Sequence, residues 1–307
     1  MKKDRLITIV GPTASGKTAL AVRLAKELGS LIISGDAYQV YRGLDIGTAK
    51  VTKEEAQGVP HGLVDILEPE EPYSAALFQE KAAALIHEEN EKGRIPIVAG
   101  GTGLYVQGLL EGYHFLPKGE GRNRYRALYE EKGAAGLWEE LKKRGGDKAF
   151  ATIPADPHRM IRELELLDEG TGREAAKKAE DLIYDGPVIG ISMERAHLYE
   201  RINERVDRMM AAGLLEEVRT LLEKGVPETA QSLRGIGYKE MIPVIQGVMT
   251  EAEGTALIKR NTRRFAKRQL TWFKRMPYIR WFDKIEHEDD MWYREIKTYV
   301  MSYFRGE

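Results

Sequence analysis

Apolar and polar residues follow two different periods along the first hundred residues of the chain. Continuous apolar runs predict buried strands at residues 6–10, 31–33 and 95–99. Segments with apolar residues three or four positions apart predict helices at residues 17–28, 75–90 and 104–110. Strands of continuous apolar character that alternate with helices are typical of a parallel sheet covered on both faces.

The pattern changes near Pro117. Residues 118–185 are highly charged and helix-rich, with glycines at 133, 145, 146, 170 and 172 and no buried strand. Apolar strand character returns at residues 188–191 and 278–282, and helices are predicted at 194–224, 250–275 and the C-terminus. We therefore predict an α/β fold with a helical insertion domain. The predicted parts are residues 1–116 (first part of the α/β core), 117–186 (insertion domain) and 187–307 (second part of the core with C-terminal basic helices).

Composition narrows the class of protein. The 307 residues are 42% hydrophobic and 31% charged, which is ordinary for a soluble protein, and no apolar run is long enough to span a membrane. The absence of cysteine excludes disulfides, thiolate zinc sites and a cysteine nucleophile. We expect a cytoplasmic monomer. Because the net charge is only −1, any binding of nucleic acid must come from a local basic patch.

Residues 11–18 read GPTASGKT and match the phosphate-binding pattern G-x-x-x-x-G-K-[ST] between a predicted strand and a predicted helix. Gly11 and Gly16 permit close approach of the backbone, and successive N–H groups at a helix N-terminus bind phosphate oxygens. Lys17 is expected to reach the terminal phosphates and Thr18 to hold Mg²⁺. The predicted fold is therefore a P-loop-type parallel sheet. A loop of this kind most often binds ATP or another nucleotide, so it does not by itself name the reaction.

Asp36 follows the second predicted strand, and strand ends of a parallel sheet line the ligand crevice. A carboxylate there can bind Mg²⁺ through water or accept a proton from a nucleophile, although it can also simply cap a turn. A second glycine loop, Gly100–Gly103, carries Thr102, whose hydroxyl could meet a phosphate or a leaving oxygen. Such a loop can equally be a tight turn.

The predicted helix over 250–275 is strongly basic. Nine Lys or Arg residues and no acid lie between Lys259 and Arg280. One helical face is predicted to hold Arg260, Arg263, Arg264, Lys267, Arg268 and Thr271. A second basic group, His158–Arg162, lies in the predicted insertion domain. A run of charge is often only a solvated face, but two such groups in a protein of net charge −1 favour a nucleic-acid ligand.

These motifs together resemble the bacterial tRNA dimethylallyltransferases, also called tRNA isopentenyltransferases, along nearly the whole chain. The most specific matches are YRGLDIGTAK at residues 41–50 and KRQLTW at residues 267–272. Further matches are GGTGLYV at 100–106, DPHRMIR at 156–162, RVD at 205–207 and GIGYKE at 235–240.

The resemblance implies transfer of a dimethylallyl group from dimethylallyl diphosphate to N6 of adenosine 37, beside the tRNA anticodon. It implies that Asp36 is the general base, that Thr102 stabilises the leaving diphosphate, and that Lys17 and Arg205 act beside the diphosphate. Arg122 best matches a further family arginine, with Arg124 as the alternative. Diphosphate binding with Mg²⁺ on Thr18 is implied for Gly11, Pro12, Thr13, Ala14, Ser15, Gly16, Lys17 and Thr18. The implied tRNA contacts are Asp36, Ala37, Tyr38, Gln39, Thr102, Arg122, Arg124, His158, Arg159, Met160, Ile161, Arg162, Arg234, Gly235, Ile236, Gly237, Tyr238, Lys239, Lys267, Arg268, Gln269, Thr271, Trp272 and Lys274.

Two other functions fit parts of the sequence. A P-loop kinase that phosphorylates a small molecule with ATP would need the loop but not the basic helix. An RNA-binding NTPase switch would need a second acidic motif at the end of an apolar strand, which the sequence does not offer. The chain also departs from the family pattern at Ala37-Tyr38, where a small residue followed by Met or Ala is usual, and in the loop around residues 146–156.

Overall fold

The computed structural model describes residues 3–115, 121–145, 156–168, 181–284 and 289–306. The chain forms two compact units. A sheet unit contains Met1–Leu110 and Asp181–Glu307, and an insertion unit contains Glu111–Glu180. The sequence placed the junctions at 116/117 and 186/187. In the structure both divisions come earlier, at 110/111 and 180/181. Residues before 187 already bond to the sheet unit, since the N–H of Ile183 donates to the carbonyl of Leu110 at 3.0 Å.

Six strands of the sheet unit form one parallel sheet in the order β3-β2-β4-β1-β5-β6. This confirms the predicted α/β class. The strands are β1 (Ile7–Val10), β2 (Ile32–Ser34), β3 (His61–Gly62), β4 (Ile97–Gly100), β5 (Val188–Ser192) and β6 (Ile279–Asp283). Because all six strands run the same way, their carboxyl ends meet at one edge, where the functional loops begin.

Helices cover both faces of this sheet. In the described ranges of the sheet unit they are α1 (Lys17–Leu28), α2 (Lys53–Ala56), α3 (Ala75–Glu91), α4 (Gly103–Leu110), α7 (Arg195–Ala211), α8 (Leu214–Glu223), α9 (Tyr238–Ile245), α10 (Glu251–Phe273) and α11 (Asp289–Arg305). The insertion unit contributes α5 (Arg122–Gly145), which is interrupted by non-helical Gly133, and α6 (Pro157–Asp168). Within the residues that the structure describes, no helix is both long enough and apolar enough to cross a membrane.

Successive strand residues point into different cores, as expected for a sheet buried on both faces. Leu6 and Val10 pack with α3, α4, α9 and α10 in one cluster of buried residues. Ile7 and Ile9 pack with α1 and α11 in another. The continuous apolar runs in the sequence reflect this double burial.

The prediction of one long helix over residues 194–224 is wrong. These residues form two helices, α7 and α8, because Gly213 between them has φ 98°, in the left-handed region that an α-helix cannot continue through. The elements β3 and α2 were not predicted, since two and four residues with little apolar character show no periodicity. Helix α9 was not predicted either, and it contains Pro243, a residue that usually marks the end of a helix. Of the glycines used as punctuation in the insertion, 146, 170 and 172 lie outside the described residues.

Candidate active site

The segment Gly11–Thr18 leads from β1 into α1 and forms the predicted P-loop. Gly11 has φ 154°, and a Cβ there would come within 2.8 Å of the carbonyl oxygen of Ile191. Gly16 has φ 93° and is the N-cap of α1. Both positions therefore need glycine, for the reasons that the motif implies. The hydroxyl of Ser15 is buried and has no hydrogen-bond partner within the described part of the chain.

Lys17 turns its ammonium group back onto the loop, where Nζ donates to the carbonyl of Pro12 at 2.6 Å. Burial, and after it the nearby charge of Arg205, lower the pKa of Lys17 to about 7, while the charge of Asp36 opposes the shift. The charge of this lysine is thus finely balanced at neutral pH. A bound anion would favour its charged form.

Two arginines one turn apart on α7 reach the P-loop. Arg201 Nε donates to the carbonyl of Ala14 at 3.0 Å, and an Arg205 guanidinium nitrogen lies 3.4 Å from the Thr13 hydroxyl. Burial lowers the pKa of Arg205, while the carboxylate of Asp36 raises it. Arg205 was a predicted site residue, whereas Arg201 was not singled out, because a single arginine on a helix carries no recognisable motif.

The loop that carries Asp36 and the loop that carries Thr102 touch through their backbones. A Cβ on Gly100 would lie only 2.4 Å from the carbonyl oxygen of Gly35, so this approach requires glycine. The N–H of Thr102 donates to that same carbonyl at 3.3 Å. This contact brings together two residues that lie far apart in the sequence.

Asp36 both caps a turn and faces the site. Its Oδ1 accepts hydrogen bonds from the N–H groups of Tyr38 at 2.8 Å and Gln39 at 3.3 Å. Asp36 also lines a cavity of about 260 Å³ together with Thr13, Thr102 and Arg205. Asp36 thus caps a turn and also lies at the cavity, so the turn-capping alternative does not exclude the predicted functional role.

The same cavity is lined by both polar and apolar residues. Other predicted site residues along it are Tyr38, Arg234, Gly235, Ile236, Tyr238, Lys239 and Arg268. The apolar lining consists of Ile202, Val206, Met209, Ile258 and Phe265. A ligand with a charged end and a small hydrocarbon end fits such a wall composition.

Gln269 ties the P-loop to the second glycine loop. Its Oε1 accepts from the N–H of Thr13 at 2.9 Å, and its Nε2 donates to the carbonyl of Gly101 at 2.9 Å. The side chain is buried, with 6% of the residue exposed. Gln269 was predicted to contact tRNA, but its amide in the structure is engaged with these two loops.

Glu217 on α8 holds the middle of the loop over residues 41–50. Its carboxylate accepts from the N–H groups of Asp45, Ile46 and Gly47 at 3.0, 2.7 and 3.1 Å, and from the Tyr238 hydroxyl at 2.6 Å. Sequence reasoning missed Glu217, because it lies about 170 positions from the loop and carries no motif of its own.

The basic helix α10 exposes most of its predicted face. Arg260, Arg264, Lys267, Arg268, Thr271 and Lys274 are exposed. Arg263 instead turns toward α7 and donates to Asn203 at 2.6 Å. Trp272 packs against the second glycine loop, where a Cβ on Gly103 would lie 2.5 Å from its ring. The structure thus gives α10 a solvent-facing basic side and a side that supports the cavity.

In the insertion unit, buried Glu165 accepts from both Arg122 at 3.4 Å and Arg162 at 3.3 Å. Met160 and Ile161 are buried in the core of this unit. Their side chains are therefore not available for the predicted contact with tRNA. Of the basic residues predicted to contact tRNA from this unit, Arg124, His158 and Arg159 are exposed.

Thr18 is exposed in the first turn of α1, and a hydroxyl oxygen is a ligand that Mg²⁺ accepts. No group of three or more His, Cys, Asp or Glu residues with metal-binding geometry occurs in the described ranges. A magnesium ion at the P-loop would thus need phosphate oxygens and water for its other ligands, which is its usual habit in phosphate sites.

Comparisons with known proteins agree on one family. Residues 39–276 match the family model described as IPP transferase, and residues 4–65 match the model for isopentenyl transferase. A tRNA dimethylallyltransferase from Carboxydothermus hydrogenoformans is 47% identical over 91% of this chain and 92% of its own length. The crystal structure of a tRNA isopentenylpyrophosphate transferase from Bacillus halodurans has a TM-score of 0.77 and 41% identity, covering 99% of this chain and 98% of that one. A eukaryotic dimethylallyltransferase acting on tRNA shares the fold, with a TM-score of 0.84 at 23% identity over 99% of this chain and 80% of its own.

Proposed function

The chain belongs to the IPP transferase family, and we propose that it transfers a dimethylallyl group from dimethylallyl diphosphate to N6 of adenosine 37 of tRNA. The products are N6-dimethylallyladenosine and diphosphate. The observation that carries this proposal is one cavity, which is lined by Asp36, Thr102 and Arg205 together with apolar side chains. The exposed basic side of α10 supplies charge for a polyanion on the same unit.

The charged end and the hydrocarbon end of the prenyl substrate match the polar and the apolar residues that line the cavity. The diphosphate binds the N–H groups of the P-loop, Lys17 and Arg205, because these donor and cationic groups lie at the loop itself. The five-carbon hydrocarbon lies against the apolar residues, of which Ile202 and Phe265 come from different helices. Ile258 and Phe265, seven positions apart on α10, thus serve the cavity as well as helix packing.

Asp36 accepts the proton of the attacking amine. The lone pair of an exocyclic adenine amine is drawn into the ring, so the amine is a poor nucleophile without a base. The backbone donors of Tyr38 and Gln39 hold one carboxylate oxygen, which fixes the orientation of the other toward the substrate. A bond forms between N6 and the prenyl carbon, the bond from that carbon to the diphosphate oxygen breaks, and the proton passes to Asp36.

Negative charge grows on the departing diphosphate during this step. Lys17, Arg205, the loop N–H groups and the Thr102 hydroxyl stabilise that charge, and they are fixed before the reaction begins. Magnesium held by Thr18 and the diphosphate oxygens would supply further neutralisation of the leaving group. Positive charge that develops at the allylic carbon is delocalised over the double bond, which also lowers the activation barrier.

Adenosine 37 must leave the anticodon-loop stack to reach Asp36. A loop base is cheaper to extrude than a paired base, and single-stranded loops are the usual targets of RNA-modifying proteins. We assign the tRNA contacts to the basic side of α10 and to Arg234 and Lys239 at the cavity. The reaction belongs in the cytoplasm, where its RNA substrate lies, and we expect a monomer to suffice, because all the residues assigned here come from one chain.

The kinase alternative is not favoured. The family match covers most of the chain, and a kinase of a small metabolite has no use for the exposed basic side of α10.

A transfer assay tests the proposal. The protein is incubated with an unmodified tRNA transcript and dimethylallyl diphosphate labelled in its hydrocarbon, and the RNA is then digested to nucleosides. Label in N6-dimethylallyladenosine at position 37 is expected, and a transcript with guanosine at that position should stay unlabelled. Label in neither RNA, with active protein shown by tRNA binding, would refute the proposal.

A further inference from the structure

Three neighbouring strands end beside the P-loop. Strand β1 leads directly into the loop, β5 pairs with β1, and β6 pairs with β5. In this register Ser192 at the end of β5 lies opposite Asp283 at the end of β6. The next residue, Lys284, therefore leaves β6 at the edge where the anion-binding loop lies, and its N–H donates to the carbonyl of Ser192 at 2.8 Å.

The side chain of Lys284 lies beside Gly16, the N-cap residue of α1. A Cβ built on Gly16 would lie 3.3 Å from Lys284 Nζ and 3.9 Å from its Cδ. Gly16 immediately precedes Lys17, and the N–H groups at this helix start are those that a P-loop directs at phosphate. The ammonium group of Lys284 is thus within a few ångströms of the loop backbone that receives the anion.

We propose that Lys284 is a second lysine of the diphosphate site, which contacts the leaving diphosphate from the β6 side while Lys17 contacts it from within the loop. This role rests on the proposed function, because it presupposes that the loop binds a diphosphate. No motif pointed to Lys284, since it lies 267 positions after Lys17 and follows an ordinary edge strand.

A second ammonium group at the loop would stabilise the charge that develops during the reaction. When the bond between carbon and oxygen breaks, the electron pair stays on the diphosphate, which gains negative charge. A further cation at the loop stabilises both the bound diphosphate and the departing one.

A packing role for Lys284 must be separated from a binding role. Its Nζ also lies 5.4 Å from the centroid of the Trp292 ring on α11, so the side chain helps to join β6 to that helix. Methionine keeps a flexible apolar side chain over the ring and removes the charge. Arg280 offers a matched control. It lies near the beginning of β6, and its guanidinium carbon is 4.3 Å from the centroid of the Tyr299 ring on the same helix.

The experiment is a calorimetric titration of the full chain with inorganic pyrophosphate and Mg²⁺ at pH 7 and low salt, with thermal unfolding measured in parallel. We expect Lys284→Met to weaken pyrophosphate binding about fivefold to tenfold, a size typical of a partly exposed charge-assisted contact. Lys284→Arg should stay within about twofold of the wild type and Arg280→Met should leave the affinity unchanged.

Three results would overturn the role of Lys284. Wild-type affinity in Lys284→Met would limit this lysine to packing, and an equal loss of affinity in Arg280→Met would mean that the effect comes from the contact between β6 and α11. Failure of the wild-type protein itself to bind pyrophosphate would refute the diphosphate assignment of the loop, and the role of Lys284 with it. The first two results would leave the proposed function intact.

Discussion

Gln269 on α10 binds the backbone of Thr13 in the P-loop, with 2.9 Å between the side-chain oxygen and the backbone nitrogen. Its amide nitrogen binds the carbonyl of Gly101 at the same distance. The helix that exposes the basic face is thereby joined to both loops of the site. A shift of α10 would displace the P-loop and the Thr102 loop together.

Replacing this amide should loosen the site and destabilise the fold. Gln269→Met keeps the volume of the side chain but leaves a backbone N–H and a backbone carbonyl without their partner. We expect a loss of about 1–3 kcal/mol in the free energy of unfolding and a raised KM for dimethylallyl diphosphate. Urea unfolding checks the first effect, with Gln246→Met, at an exposed glutamine, expected within about 0.5 kcal/mol of the wild type. Equal stability of Gln269→Met and the wild type would contradict the bridging role.

Asp36→Asn separates the two roles of this residue. The asparagine oxygen can still accept from the N–H groups of Tyr38 and Gln39, so the turn should persist, but the amide cannot take up a proton. We expect turnover to fall about a hundredfold or more, with affinities for tRNA and pyrophosphate unchanged. Single-turnover kinetics and binding titrations measure both quantities. A fully active variant would exclude Asp36 as the base.

The pH dependence of diphosphate binding follows from Lys17. Its pKa is lowered to about 7 in the protein alone, and a bound diphosphate would raise it. Below pH 7 Lys17 is charged in both states and contributes no pH dependence. Above pH 7 binding takes up a proton, so the affinity falls as the pH rises toward the pKa of the bound state.

Calorimetry with dimethylallyl diphosphate, without RNA, tests this linkage at about pH 7.5–9, where the terminal phosphate, whose last pKa is about 6, no longer titrates. The observed heat should differ between buffers of different ionisation enthalpy. Lys17→Met should bind more weakly and show no such difference. A flat pH profile and equal heats for the wild type would show that Lys17 does not change its charge on binding.

Salt dependence tests the basic side of α10. Replacing Arg260, Arg264 and Lys267 by glutamine removes three exposed charges, which should weaken tRNA binding and lower the slope of log K against log salt by about 2–3. A control triple of Arg23, Arg294 and Lys297 lies on α1 and α11, which pack against the opposite face of the sheet. Filter binding at several salt concentrations compares the two. Equal slopes for the α10 triple and the wild type would place the tRNA elsewhere.

Local patterns predicted much of this protein. The P-loop, five of the six strands and helix α10 follow from contiguous residues whose spacing reports burial or backbone conformation directly. The motif at residues 41–50 was recognised as a unit, and its glycine at 47 proves to be required, because a Cβ there would lie 2.5 Å from the Tyr238 ring.

Long-range contacts could not be predicted in this way. Glu217, Arg201 and Lys284 reach the site from helices or strand ends more than a hundred positions away from the loops they contact, and each is an ordinary charged residue in its own segment. The tRNA contact of Gln269 was implied by the family resemblance, through the motif at residues 267–272. Only the tertiary structure shows that this side chain points inward.

We propose that the P-loop of this chain holds a leaving diphosphate and transfers no phosphoryl group. The most direct measurement follows label in RNA, release of inorganic pyrophosphate and consumption of ATP in the same reaction with unmodified tRNA and dimethylallyl diphosphate. We predict that one pyrophosphate is released for each dimethylallyl group transferred to the RNA. The rate should be the same with and without ATP. Hydrolysis of ATP without any transfer of label to RNA would contradict the account.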